Sequence, residues 1–182
     1  MNKALFLDRD GVINYDYGYV YKKEDFKFVD GIFDVCAKAQ AAGYKIIVIT
    51  NQSGIDRGYF TEDDFQKINS YMLDEFAKKG IEITDVFHCP YLNHPDRKPS
   101  PNMFLKAKEK YDIDMAASIS IGDNPRDIEA ASKAGVGCNY LLSDLLPDSK
   151  EYVAEEPMNK DKTNNCPDAT IVSCLAHISE WL

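Results

Sequence analysis

No stretch of the 182 residues approaches the roughly 20 consecutive apolar positions that a bilayer-crossing helix needs, so no segment is expected to enter a membrane. Basic clusters are missing as well. The chain carries 21 Lys and Arg against 30 Asp and Glu, a formal net charge of −9, and nothing offers the dense run of cations that would release counterions from a nucleic acid backbone. A polyanionic partner is therefore disfavoured and a small substrate expected. The five cysteines (Cys36, Cys89, Cys138, Cys166 and Cys174) are odd in number and widely spaced, which does not make a disulfide framework. The first apolar run is too short for a secretory leader and meets acidic residues at once. Reduced thiols and a cytoplasmic location are the expectation. His88, His94 and His177 share no spacing with a base or a metal partner, and no internal repeat is present.

What is there is the composition of one ordinary globular domain, 45% hydrophobic and 28% charged, expected to span residues 1–182 with a single core. Short apolar or β-branched runs alternate with longer amphipathic segments. That rhythm predicts an α/β fold, a mostly parallel sheet with helices on both faces. The expected strands are 3–7, 44–49, 85–88, 118–121, 137–142 and 169–172; the expected helices are 31–42, 61–79, 101–111, 125–134 and 173–182. Thr61 with Asp64 reads as an N-cap, Gly43, Gly80 and Gly135 stand where helices stop, and Pro101 and Pro125 suit first-turn positions. Two segments break the rhythm. Residues 15–28 hold four Tyr and two Phe and are too long for a tight connection, so they form either a flap over a site or an irregular surface hairpin. Residues 143–167 are polar, with three prolines, and read as a mobile surface excursion.

Chemistry is concentrated at strand ends. Asp8-Arg9-Asp10-Gly11 directly follows the apolar run Ala4-Leu5-Phe6-Leu7, so two carboxylates at i and i+2 leave one strand end toward one small volume. The first could attack phosphorus; the second could protonate a departing oxygen and then deprotonate water. Ligands of an open parallel sheet bind beyond the carboxyl ends of its strands, and other ends carry suitable groups. The second strand ends in Thr50-Asn51-Gln52-Ser53-Gly54, where Thr50 could donate to a phosphate oxygen. Arg97-Lys98-Pro99-Ser100-Pro101 puts two cations before a helix start, and the fourth strand runs into Gly122-Asp123-Asn124-Pro125-Arg126-Asp127.

Three carboxylates converging on a phosphate dianion need an explanation. Like unit charges about 4 Å apart repel by roughly 4 kcal/mol at an effective dielectric near 20, so a divalent cation is expected to bridge them. Hard oxygen ligands shared with phosphate and water favour Mg²⁺. Asp8, Asp123 and the main-chain carbonyl of Asp10 are the expected ligands, with Asp127 buttressing them from behind.

Asp8-x-Asp10-Gly11, Thr50, Lys98 and Gly122-Asp123-x-x-x-Asp127 together resemble the four motifs of the haloacid dehalogenase superfamily of phosphohydrolases, in order and across most of the chain. Asp8-Arg9-Asp10-Gly11-Val12-Ile13-Asn14, Gly18-Tyr19-Val20, Thr50-Asn51-Gln52-Ser53-Gly54-Ile55-x-Arg57-Gly58-Tyr59-Phe60 and Arg97-Lys98-Pro99-x-Pro101 resemble more narrowly the D-glycero-D-manno-heptose 1,7-bisphosphate 7-phosphatases, whose near relatives are histidinol phosphatases. The resemblance implies a Rossmann-like fold without a large cap domain, and a Mg²⁺-dependent phosphatase acting on a small phosphorylated sugar through an aspartyl-phosphate. It implies Asp8 as nucleophile, Asp10 as acid then base, and Thr50 and Lys98 on the transferring phosphoryl group. Asp8, Asp10 and Asp123 would bind magnesium. Asp16, Tyr17, Gly18, Tyr19, Asn51, Gln52, Ser53, Arg97 and Asn124 would contact substrate, Arg97 gripping its distal phosphate. Histidinol phosphate is the alternative substrate, and a nucleic acid 3′-end phosphatase is a more distant one. Relatives often carry a zinc loop of Cys-x-His and Cys-x-Cys pairs; here Cys89 is followed by Tyr91 and no further Cys precedes Arg97, so no zinc is expected. A monomer is expected.

Overall fold

Period-two alternation in the first strand decides which residues face which layer. In the computed structural model, which describes residues 1–142 and 169–179, β1 (Lys3–Leu7) turns Leu5 and Leu7 into one core and Ala4 and Phe6 into the other, all fully buried. β2 (Tyr44–Asn51) repeats the pattern, sending Ile46 and Val48 one way and Ile47 and Ile49 the other. Strands buried on both faces read as unbroken apolar runs, which is why these two were plain in the sequence.

The described residues form one six-stranded parallel sheet in the order β3-β2-β1-β4-β5-β6, completed by β3 (Ile83–Cys89), β4 (Ile119–Gly122), β5 (Cys138–Leu142) and β6 (Thr170–Val172). One face is covered by α1 (Ile32–Ala41), α2 (Glu62–Lys78) and the short α5 (Leu175–Ser179), through Val35, Met72, Phe76 and Leu175 among others. The other is covered by α3 (Asn102–Tyr111) and α4 (Pro125–Ala134), through Phe104, Ala107, Ala131 and Ala134. Phe6 meets Phe104 edge-on at 5.0 Å between ring centres. Each such large side chain withdrawn from water contributes about 1.5–3 kcal/mol.

β3 begins earlier and ends later than the apolar pattern suggests, because it is an edge strand, half-buried along most of its length, with a register shift against β2 at Ile46/Ile47. α2 opens with the expected reciprocal cap: the Thr61 hydroxyl accepts from Asp64 N at 3.1 Å, while the Asp64 carboxylate accepts from Thr61 N at 3.0 Å. The 15–28 segment has a hairpin-like stem, where Tyr15 N donates to Lys27 O (2.9 Å) and Val29 N to Ile13 O (2.9 Å). Its Phe26 and Phe28 pack on Tyr71, Phe33 and Phe76. The expected excursion at 143–167, and the end of the last helix beyond Ser179, lie outside the described residues.

The strand order reverses its direction of travel between β1 and β4, with β2 and β3 added on one side and β5 and β6 on the other. A crevice opens at such a switch point, beyond the carboxyl ends of the strands.

Candidate active site

β1 delivers Asp8 to that crevice and β4 holds it there: the Asp8 N–H donates to Ile121 O at 3.0 Å, extending the ladder by one residue. The chain then folds back on itself, Gly11 N donating to Asn14 O at 2.7 Å and Ile13 N to Arg9 O at 2.8 Å. Gly11 has φ of 83°, and a Cβ there would overlap the Asp123 carboxylate. Both the left-handed backbone and the close approach demand glycine.

Lys98 reaches the same place from the loop between β3 and α3. Asn51, the last residue of β2, locks its main chain from both sides, donating to Lys98 O at 3.1 Å and accepting from Lys98 N at 3.0 Å. The buried ammonium then has three partners: Ile49 O at 2.7 Å, Asp8 Oδ1 at 3.0 Å and Asp127 Oδ1 at 2.8 Å. Burial pulls its pKa down, but Asp127 and Asp8 outweigh that and hold it above the ordinary lysine value.

One ammonium does not balance the acids around it. Carboxylate oxygens of Asp8, Asp123 and Asp127 lie within 4.8 Å of one another. Burial pushes Asp8 up to about 7, with Asp127 and Asp10 adding to the rise and Lys98 opposing it. Asp123 is pushed up to about 8 by burial and by Asp8 and Asp127. A site that suppresses ionisation of its own carboxylates is short of positive charge, and three clustered hard oxygen donors fit Mg²⁺. Asp127 is also committed to α4: its Oδ2 accepts from Asn124 N at 3.0 Å, while Asn124 Oδ1 accepts from Arg126 N at 3.2 Å.

Asp10 faces elsewhere. Its carboxylate accepts from Arg9, from Asn14 Nδ2 at 3.0 Å and from Gln52 Nε2 at 2.9 Å, so its side chain is not part of the acidic cluster and only its main chain is left for an ion. Gln52 Nε2 also donates to Thr50 Oγ1 at 2.9 Å. The Thr50 hydroxyl proton has no acceptor among the described residues and is available to a ligand.

A cavity of about 350 Å³ spans these groups. Of the residues expected to contact substrate, Asp16, Gly18, Tyr19, Asn51, Gln52, Ser53 and Arg97 form its wall, together with Asp8, Asp10, Lys98 and Asp123. Thr50 is buried beside it. Tyr17 and Asn124 are off the wall. Tyr17 is half-exposed, with the Lys27 ammonium 5.6 Å from its ring centre, and Asn124 is spent on capping α4. Tyr19 has left-handed backbone (φ 54°), its ring 4.6 Å from that of Tyr59 and seated where a Cβ on Gly54 would strike it.

Arg57, Arg126, Gly54 and Asp127 also line the cavity. Neither arginine is among the expected substrate contacts, although Arg57 belongs to the family-like run 50–60 and each stands a few residues past a strand's carboxyl end. Cys89 is buried, its thiol 3.7 Å from Tyr91 O, and His94 Nδ1 accepts from Asp96 N at 3.1 Å with its ring against Tyr91. No helix among the described residues is long and apolar enough to cross a membrane.

Comparison with known proteins agrees with this geometry. The haloacid dehalogenase-like hydrolase family matches residues 3–135. The chain is 53% identical over 143 residues, 78% of its length and 83% of the relative's, to the D-glycero-α-D-manno-heptose-1,7-bisphosphate 7-phosphatase of Campylobacter jejuni. It is 40% identical over 174 residues, 90% of its length and 94% of the relative's, to the D-glycero-β-D-manno-heptose-1,7-bisphosphate 7-phosphatase of Vibrio cholerae. Among solved structures it resembles the D,D-heptose 1,7-bisphosphate phosphatase of B. bronchiseptica complexed with magnesium and phosphate, with a TM-score of 0.79 and 27% identity over 98% of this chain and 97% of that one.

Proposed function

Because the chain belongs to the haloacid dehalogenase-like hydrolases, we propose that it is a Mg²⁺-dependent phosphatase removing the 7-phosphate of D-glycero-α-D-manno-heptose 1,7-bisphosphate. The observation that carries the reaction is Asp8, fixed at the end of β1 on a cavity floor, 3.0 Å from the Lys98 ammonium and clustered with Asp123. The named relatives support the substrate, and the higher identity to the one named for the α anomer supports that anomer.

Asp8 Oδ forms a bond to phosphorus as the bond from phosphorus to the sugar oxygen breaks. Asp10 gives its proton to the departing alkoxide. Water then attacks the aspartyl-phosphate, returning a proton to Asp10 as the Asp8 carboxylate leaves with both of its oxygens. The Thr50 hydroxyl donates to a phosphoryl oxygen, and the Lys98 ammonium, its protons on Ile49 O, Asp8 and Asp127, offsets phosphoryl charge through space. Asp8, Asp123 and the Asp10 carbonyl would hold Mg²⁺, while Asp127 keeps Lys98 in place. When bound, Mg²⁺ supplies the positive charge that lets Asp8 ionise and a dianion approach. Arg97, with Arg57 and Arg126 on the same wall, meets the distal phosphate, where a guanidinium fork matches two oxygens at once. The enzyme works in the cytoplasm as a single-domain monomer, without zinc.

Phosphate release from the α and β heptose 1,7-bisphosphates, a hexose bisphosphate and histidinol phosphate tests this reading, with Mg²⁺ and with a chelator. The α heptose bisphosphate is expected to have the highest kcat/KM and the chelator to abolish release. Preference for histidinol phosphate, or undiminished release without metal, would overturn it.

A further inference from the structure

The arginine between the two carboxylates has no part in the chemistry above, yet it is among the largest fully buried side chains of the described residues. Its Nε and Nη2 reach Asp10 Oδ1 at 3.2 and 2.8 Å, and Nη2 reaches Oδ2 at 2.9 Å. Nη2 also donates to Val20 O at 2.6 Å. The rings of Phe26 and Phe65 stand 6.0 and 5.7 Å from the guanidinium carbon. Nη1 is buried with no hydrogen-bond partner among the described residues.

Stability does not explain this arrangement. Taking a guanidinium out of water is costly, and well-packed apolar residues often replace buried ion pairs at little or no loss. Beside Phe26 and Phe65 an apolar side chain would suit the surroundings and leave no orphaned N–H groups. What an apolar side chain cannot do is set the plane of a carboxylate. The guanidinium grips Asp10 in a fork, while Asn14 and Gln52 each bond one of its oxygens, so orientation is fixed along both edges.

We infer that Arg9 is a positioning residue for phosphoryl transfer: it aims the Asp10 carboxylate and ties it to the 15–28 segment through the Val20 carbonyl and the Phe26 ring. The cavity-lining residues Asp16, Gly18 and Tyr19 end one residue before that carbonyl, so the wall that meets the sugar and the group that protonates it share one anchor. The inference rests on the reading of Asp10 as acid and base.

Its test uses two leaving groups. A sugar alkoxide needs a proton to depart; p-nitrophenolate does not. Arg9→Lys keeps the charge and loses the fork, and should lower kcat on heptose bisphosphate about 10²-fold with KM within about threefold. First-turnover release of p-nitrophenolate from p-nitrophenyl phosphate should change by no more than about threefold, since only the proton transfer is misaligned. Phe26→Leu, which loosens the guanidinium without removing it, should show the same selectivity at about tenfold, and keeps the test available should R9K fail to fold. An equal loss on both substrates, or no loss, overturns the inference. Asp10→Asn is the control: if it too harms both leaving groups equally, the role given to Asp10 fails, whereas selectivity in D10N without selectivity in R9K condemns only the role given to Arg9.

Discussion

The floor of the cavity and its rim are held by different means. On the floor, Asp8 is bonded through its main chain to β4, Thr50 lies within β2, Asp123 directly follows β4, and Lys98 is clamped by the last residue of β2. Sheet register places these atoms, and sheet register is the most stable part of such a fold. On the rim, Asp16, Tyr19, Ser53, Arg57 and Arg97 stand on connecting segments; Tyr19 and Tyr59 are about half-exposed, and among the described residues the Arg97 guanidinium makes one long hydrogen bond, 3.4 Å to Tyr91 O. A rigid floor fixes what is done to a phosphoryl group, while loops decide which molecule carries it in.

The sharpest way to break that division is Asp8→Asn. It removes the proposed nucleophile and keeps the shape, so turnover should fall by about 10³-fold or more on every substrate. The fold should persist, because the change also takes one charge out of the crowded cluster of Asp8, Asp123 and Asp127. Turnover within tenfold of the parent would remove Asp8 from the mechanism. A rim change should behave differently. Arg97→Ala should cost about 10- to 100-fold in kcat/KM on a bisphosphate, the worth of a charge-assisted contact, and little on a monophosphate of the same sugar. An equal loss on both would place Arg97 with the floor.

The same division governs what could be read from residue order. A carboxylate pair behind an unbroken apolar run is visible because parallel strands buried on both faces advertise themselves and their ends. Arg126 is a single arginine in a polar stretch, which looks like any solvated charge, and Arg57, though part of the family-like run 50–60, carries no expected contact until the backbone brings both to one wall. Asn124 teaches the converse lesson. Its place before Pro125, with Asp127 three residues on, carries the ordinary signature of a reciprocal helix cap, and that local chemistry decides its side chain, although likeness to relatives pointed it at the substrate. Arg9 was invisible for a third reason. Its rings, Phe26 and Phe65, come from 17 and 56 residues further along the chain, and only tertiary structure shows that a charge beside two acids is buried.

The smallest expected effect lies in stability rather than rate, and it separates floor from rim without substrate. Asp8 and Asp123 sit at about 7 and about 8 in the folded protein against an ordinary 3.8, so between those values the folded state binds more protons than the unfolded chain. Stability must then fall as pH rises through that window, and the buried thiols of Cys36 and Cys89, held above their ordinary value, extend the fall at its alkaline end. The carboxylates held low, Asp64, Glu75 and Asp85, change protonation below their ordinary range and do not act between pH 5 and 8.5. The metal-free protein should therefore melt about 5 °C or more lower at pH 8.5 than at pH 5. Mg²⁺ should recover more of that loss at the higher pH, where the ligands are ionised. Asp123→Asn should flatten the slope, and Arg97→Ala should leave it alone. A metal-free melting temperature that rises with pH across this range would mean that the floor is not short of positive charge, and the case for a bridging cation would lose its physical basis.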